Sequence, residues 1–203
     1  MELELGITLA GAFAKRGIKI HCGVKVDSMA VKNGSVEAVI SNGQTLQFDK
    51  VLVSTGRRAN TAELGLDTVG IETDRGFIRV NDKMETAVAG IYCIGDSNGR
   101  CLLAHAASAQ GEIAAKNALG RAEALDLPIP GAVYTFPEIA SVGITSKQAR
   151  AKGIAISVGE FPIGSLGKAM AVGEDSGFVR VISEKDSGRL LGFHFNDTNT
   201  TEI

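Results

Sequence analysis

The stretch Thr86-Ala87-Val88-Ala89-Gly90-Ile91-Tyr92-Cys93-Ile94-Gly95-Asp96, with the small-residue segment behind it, constrains the fold more than any other part of the chain. Residues 91–94 form an apolar run of strand propensity, Gly95 permits a tight exit, and Asp96 opens a segment that soon becomes helical. The pattern predicts a strand, a turn and a helix. A carboxylate at the end of a buried strand, beside a helix N-terminus, stands where an open α/β sheet presents its ligand. Asp96 is then either an acceptor for a sugar or ribityl hydroxyl or a plain helix cap. Residues 102–119 predict a helix that Gly120 ends, and Ala104, Ala107, Ser108, Gly111, Ala114, Ala115 and Ala118 let it approach a sheet or cofactor closely.

The remaining elements follow from periodicity and punctuation. Leu5, Leu9 and Phe13 recur at helical spacing before Gly17, which predicts an amphipathic helix over residues 2–16. Residues 18–24 alternate as a half-buried strand would, residues 36–40 and 45–48 flank Asn42-Gly43 as a hairpin, and residues 51–54 read as a further strand. Pro128-Ile129-Pro130-Gly131 stops any element crossing it and marks a boundary. Beyond it, residues 132–136 predict a strand, Thr145 caps a helix through Ala151 that stops at Gly153, and residues 156–161 predict another strand. Residues 177–183 and 189–195 surround Lys185-Asp186-Ser187-Gly188 and should pair as an antiparallel hairpin.

Composition narrows the function classes. With 44% hydrophobic residues and 25 glycines in 203, the chain fits a glycine-rich α/β protein. A net charge of −2, with no basic cluster beyond Arg57-Arg58, argues against nucleic acid or an anionic membrane as the main partner. Those arginines read as a local ligand or carboxylate contact. The chain has no apolar run long enough to span a bilayer, and it opens on the acidic Met1-Glu2-Leu3-Glu4, so the expected location is cytoplasmic. Cys22, Cys93 and Cys101 are too scattered for a disulfide framework or a metal site and read as buried, reduced thiols.

Three motifs carry a resemblance. Thr86 to Gly95-Asp96, followed by Leu102-Leu103-Ala104-His105, resembles the second FAD-binding motif of the flavin disulfide reductases, the class I pyridine nucleotide-disulfide oxidoreductases. The Leu-Ala-His ending most resembles their dihydrolipoamide dehydrogenase branch. Val51-Leu52-Val53-Ser54-Thr55-Gly56-Arg57-Arg58 resembles the crossing between the NAD and FAD domains of that family, and residues 134–143 resemble the opening of its interface domain.

The resemblance implies an α/β fold in which partial NAD- and FAD-binding Rossmann-like domains precede an α+β interface (dimerisation) domain. The boundaries would fall at 1–58, 59–128 and 129–203. It implies FAD contacts at Gly95, Asp96, Leu102, Leu103, Ala104 and His105, the last four mainly through backbone N–H groups, with no acid/base role for His105. It implies NAD contacts at Val26 and Gly56, which read from the residues alone are a strand position and a turn glycine. The family activity is oxidation of a dihydrolipoyl dithiol, through a protein disulfide and flavin, to NAD. A glutathione reductase or soluble transhydrogenase type, or a non-catalytic nucleotide-binding or dimerisation module, are the alternatives.

The family's redox Cys-x-x-x-x-Cys pair and its His-Pro…Glu stretch would fall outside residues 1–203, and the chain contains no Gly-x-Gly-x-x-Gly turn. No residue is therefore assigned a catalytic role, and the chain reads as a fragment. The expected partners are a second copy, through residues 129–203, and a lipoyl-bearing 2-oxo acid dehydrogenase complex. The tail, residues 194–203, departs from the family in carrying Asp197 and Thr200 where Gly and Ala are preferred.

Overall fold

The computed structural model describes residues 1–173, 176–198 and 200–202; Asn199 and Ile203 of the tail lie outside the described residues. The chain forms two compact units, one made of Met1–Ala12 with Arg58–Ile203 and the other of Phe13–Arg57.

In the smaller unit, β1 (Val26–Lys32), β2 (Ser35–Ile40) and β3 (Thr45–Phe48) form an antiparallel sheet in the order β1-β2-β3. The β2–β3 hairpin is the expected one, with Gly43 N–H donating to the Ile40 carbonyl at 2.8 Å. The β1–β2 hairpin was not expected. Its turn is Asn33-Gly34, with φ of 49° and 80°, the paired left-handed conformations of a tight hairpin turn. The same dipeptide signal as Asn42-Gly43 was thus present a few residues earlier, and β1 follows from it.

Two expected strands do not form. Residues 18–24 and 51–54 carry strand-like sequence but have no ladder partner among the described residues. A strand is stable only when its N–H and C=O groups are paired with a neighbour, so alternation alone does not make one. Leu52, 90% exposed, and Val53, 65% exposed, show how little covers the second segment.

The larger unit holds a five-stranded antiparallel sheet in the order β6-β7-β10-β9-β8. Its strands are β6 (Gly131–Val133), β7 (Glu138–Gly143), β8 (Ile156–Pro162), β9 (Phe178–Glu184) and β10 (Leu190–Asp197). The expected β9–β10 hairpin is central to it, in the register Phe193↔Val181 and Phe195↔Val179. The strand expected at 132–136 ends early. Thr135 turns back, its N–H donating to the Val133 carbonyl and its hydroxyl to the Pro137 carbonyl, and β7 begins after that proline. The short helix α3 (Ser146–Ala151) starts as expected at Thr145, in a reciprocal capping box with Gln148.

Helix α1 (Leu3–Lys15) begins in this unit. Leu5 is fully buried against Ile139 of β7 and Phe178 of β9, with Leu9 and Val133 packed alongside. Beside them the carboxylate of Glu2, 6% exposed, accepts from the Ser146 amide and pairs with Arg180 at 3.0 Å. Arg180 also meets Glu4 at 3.0 Å and Glu160 at 2.7 Å. Burial alone would raise the Glu2 carboxyl, but the Ser146 hydrogen bonds and the Arg180 charge leave it below its ordinary value of 4.5. A carboxyl depressed by folding stabilises the fold above that ordinary value and loses the contribution as pH falls through its folded value. Thermal melts followed by circular dichroism should therefore show a midpoint that drops below pH 4.5 in the wild type, and drops less in Glu2→Gln.

A second core in this unit, Ile71, Ile78 and Cys93 with Leu66, Val80, Val88 and Ile91, supports the two-residue hairpin of β4 (Thr73–Asp74) and β5 (Phe77–Ile78). No helix among the described residues is long and apolar enough to cross a membrane.

Candidate functional site

The site is built on the stretch that ends at Asp96. Thr86 closes its first turn: the Thr86 N–H donates to the Ile91 carbonyl at 2.8 Å, and its hydroxyl accepts from the Val88 N–H at 3.1 Å. The strand expected over residues 91–94 is reduced to one bridge, Glu85↔Tyr92. The run is extended but has no neighbouring strand to complete a ladder among the described residues, and Asp96 therefore does not end a buried strand. Instead Gly95–Asn98 forms a single 3-10 turn that ends at Gly99, and Asp96 lies exposed within it. Gly95 takes φ 68°, and a Cβ on it would stand 3.3 Å from Ala107, so the turn and the helix meet where both residues are small.

Helix α2 (Ala104–Ala118) follows, and Gly120, with φ 85°, ends it. Its N-cap is Leu103, which has an extended backbone and makes no side-chain cap hydrogen bond. Ala107 N–H donates to the Leu103 carbonyl, so the first-turn amides of Ala104, His105 and Ala106 have no intrahelical acceptor. Ala104 and Leu102 are exposed beside them, and Leu103 is half-buried. The His105 ring donates from Nε2 to the Pro130 carbonyl at 2.7 Å, which ties the start of α2 to the linker. The turn that holds Gly95 and Asp96 packs on α2 through Ala107 and Gln110, and residues 102–105 lead into the uncapped first turn of that helix.

Val26 and Gly56 belong to the smaller unit. Val26 is the first residue of β1, opposite Ile40 and 56% exposed. Gly56 is exposed with φ 119°, a backbone conformation open to glycine. Of the cysteines expected to be buried only Cys93 is; Cys22 is exposed, in a segment that pairs with no strand among the described residues, and Cys101 is intermediate, all three as free thiols. Burial pushes the Cys93 thiol up, only partly offset by its hydrogen bond with Ser97, which opposes thiolate reactivity.

Two residues of the site were not anticipated. Gln110 is 1% exposed, and its side-chain oxygen accepts from the Gly95 amide at 2.7 Å and from Asn98 Nδ2 at 2.8 Å. Asn98 Nδ2 donates also to the Cys93 carbonyl at 3.1 Å, while Asn98 Oδ1 accepts from the Arg100 N–H at 2.9 Å. The available signal was positional. Gln110 shares a helical face with Ala106, Ala114 and Asn117, all buried, so a long polar side chain there had to find a buried partner.

The comparisons identify the family. The family model described as pyridine nucleotide-disulphide oxidoreductase matches residues 1–111, and its dimerisation-domain model matches residues 129–203. The chain belongs to the pyridine nucleotide-disulphide oxidoreductase family. It is 41% identical over 191 residues to the dihydrolipoyl dehydrogenase of Chlamydia muridarum, covering 93% of this chain and 41% of that protein. It is 40% identical over 208 residues to the dihydrolipoyl dehydrogenase of Chlorobaculum tepidum, covering 100% of this chain and 44% of that protein. Among solved structures, LpdA from Mycobacterium tuberculosis superposes with a TM-score of 0.91 at 28% identity, covering 99% of this chain and 44% of that one. The flavoprotein disulfide reductase RclA from Escherichia coli shares the fold, with a TM-score of 0.89 at 23% identity, over 100% of this chain and 47% of its own. The chain thus spans less than half the length of these relatives. The fold is the expected one: parts of Rossmann-like domains, then an α+β sheet domain.

Proposed function

We propose that this chain is the part of an FAD-dependent, NAD-linked dihydrolipoyl dehydrogenase that closes the flavin site from the Asp96 side and carries the dimerisation sheet. The observation that carries the reading is the exposed Asp96 in a turn bonded to α2, beside the uncapped first turn of that helix. Those groups fit FAD. Asp96 supplies an acceptor for a sugar hydroxyl, and the amides of Ala104 and His105 supply donors with a positive helix end behind them. Leu102 and Leu103 provide apolar cover. When bound, FAD supplies the two-electron relay between a dithiol and the nicotinamide. This chain's residues bind and orient; none of its thiols is placed as a reactive pair.

Domains at 1–58, 59–128 and 129–203 accompany this reading. Val26 and Gly56 are assigned to NAD, Gly56 because the absent side chain admits the nicotinamide to the backbone. Residues 129–203 pair with a second copy, and a lipoyl-bearing 2-oxo acid dehydrogenase complex is the larger partner. A cytoplasmic location belongs to the same reading, in which the free cysteines stay reduced.

The test is a titration of FAD by fluorescence quenching. The wild-type chain should bind weakly, since only the Asp96 side of the site is present, and should not reduce NAD with dihydrolipoamide. Asp96→Ala should weaken binding by roughly 10- to 100-fold, the worth of a charge-assisted hydrogen bond, in a protein that still folds and melts cooperatively. Equal affinities for the two proteins would remove Asp96 from the site.

A further inference from the structure

We propose that Gln110 is the positioning residue of the flavin loop, holding Asp96 in register with the α2 N-terminus so that acceptor and donors act on one ligand. The inference rests on the assignment of this site to FAD. Gly95 and Asn98 stand on either side of Asp96 and Ser97, and Gln110 bonds to both of them, at 2.7 and 2.8 Å. The Gly95 amide and the Asn98 Nδ2 are both donors, so the atom facing them is the Gln110 oxygen. One buried acceptor therefore ties both ends of the turn to the second turn of α2, whose first turn has no side-chain cap. Asn98 extends the clamp to the Cys93 carbonyl and the Arg100 amide, which leaves the loop few other positions. Without the Gln110 oxygen, the buried Gly95 amide loses its partner and Asn98 Nδ2 keeps only the Cys93 carbonyl, so the turn must open to solvate them. Asp96 would then no longer be held on α2.

The experiment compares the wild-type chain with Gln110→Met, which keeps length and loses the acceptor, and Gln110→Glu, which keeps it. The readouts are the FAD dissociation constant and hydrogen exchange of the Gly95 amide. Gln110→Met should weaken FAD about tenfold or more and strip protection from Gly95. Gln110→Glu should return both to within about threefold of wild type, since a carboxylate oxygen accepts the same bonds. Should Gln110→Met not fold, Asn98→Ala removes one of the two donors and should weaken FAD by a smaller factor. Wild-type affinity in Gln110→Met, or in Asn98→Ala if that is the variant that folds, overturns the proposal while Asp96→Ala still weakens binding. No FAD binding by the wild type overturns the flavin reading and this assignment together.

Discussion

Gly177→Ala is expected to destabilise the larger unit by more than about 3 kcal/mol, the upper end of single-substitution effects. Gly177 enters β9 with φ 133°, a conformation that residues with a Cβ rarely adopt, and a Cβ there would stand 2.0 Å from the Asn196 carbonyl oxygen of β10. The obstacle is backbone of the strand that pairs with both β7 and β9, so relief requires breaking the sheet's central register. Gly159→Ala is the control: it lies in the edge strand β8, has an ordinary φ, and a Cβ there meets nothing within 4 Å. Urea unfolding should give a large loss for Gly177→Ala and less than about 0.5 kcal/mol for Gly159→Ala. Similar midpoints for the two would mean that β9 and β10 do not approach as described.

Arg180→Met is expected to cost about 3–5 kcal/mol, because it leaves the buried Glu2 carboxylate without its countercharge. The Arg180 side chain is 11% exposed, the Glu2 side chain 5%, and the guanidinium also lies 5.1 Å from the centroid of the Phe178 ring. Breaking one partner of a buried pair costs more than the pair contributes, so Arg180→Met with Glu2→Gln should recover much of the loss. A double-mutant cycle in urea measures this coupling, and additive losses would contradict it.

What could be read from the residues alone depended on how local the physics was. The β9–β10 hairpin, the Thr145 cap and the Gly120 stop rest on neighbours in sequence, and each formed where expected. The strands at 18–24, 51–54 and 91–94 rest on partners far away in sequence. Their alternation or apolarity records a preference for a sheet, but no described strand pairs with them beyond the Glu85↔Tyr92 bridge. The turn at Gly95 was legible because the glycine that permits it lies in the motif itself, whereas the strand expected before it was not realised. Gln110 was hidden because its role depends on where α2 folds back against the turn, fifteen residues away in sequence. The contact of His105 with Pro130 was hidden for the same reason.

Two-dimensional amide NMR spectra of the chain, recorded with increasing FAD, test the central claim most directly. The account predicts concentration-dependent shifts at the amides of Gly95, Asp96 and Ser97 and at those of Ala104 and His105, reduced at the same FAD concentration in Asp96→Ala. Spectra in which these amides stay unmoved while others shift, or in which Asp96→Ala responds as the wild type does, would contradict it.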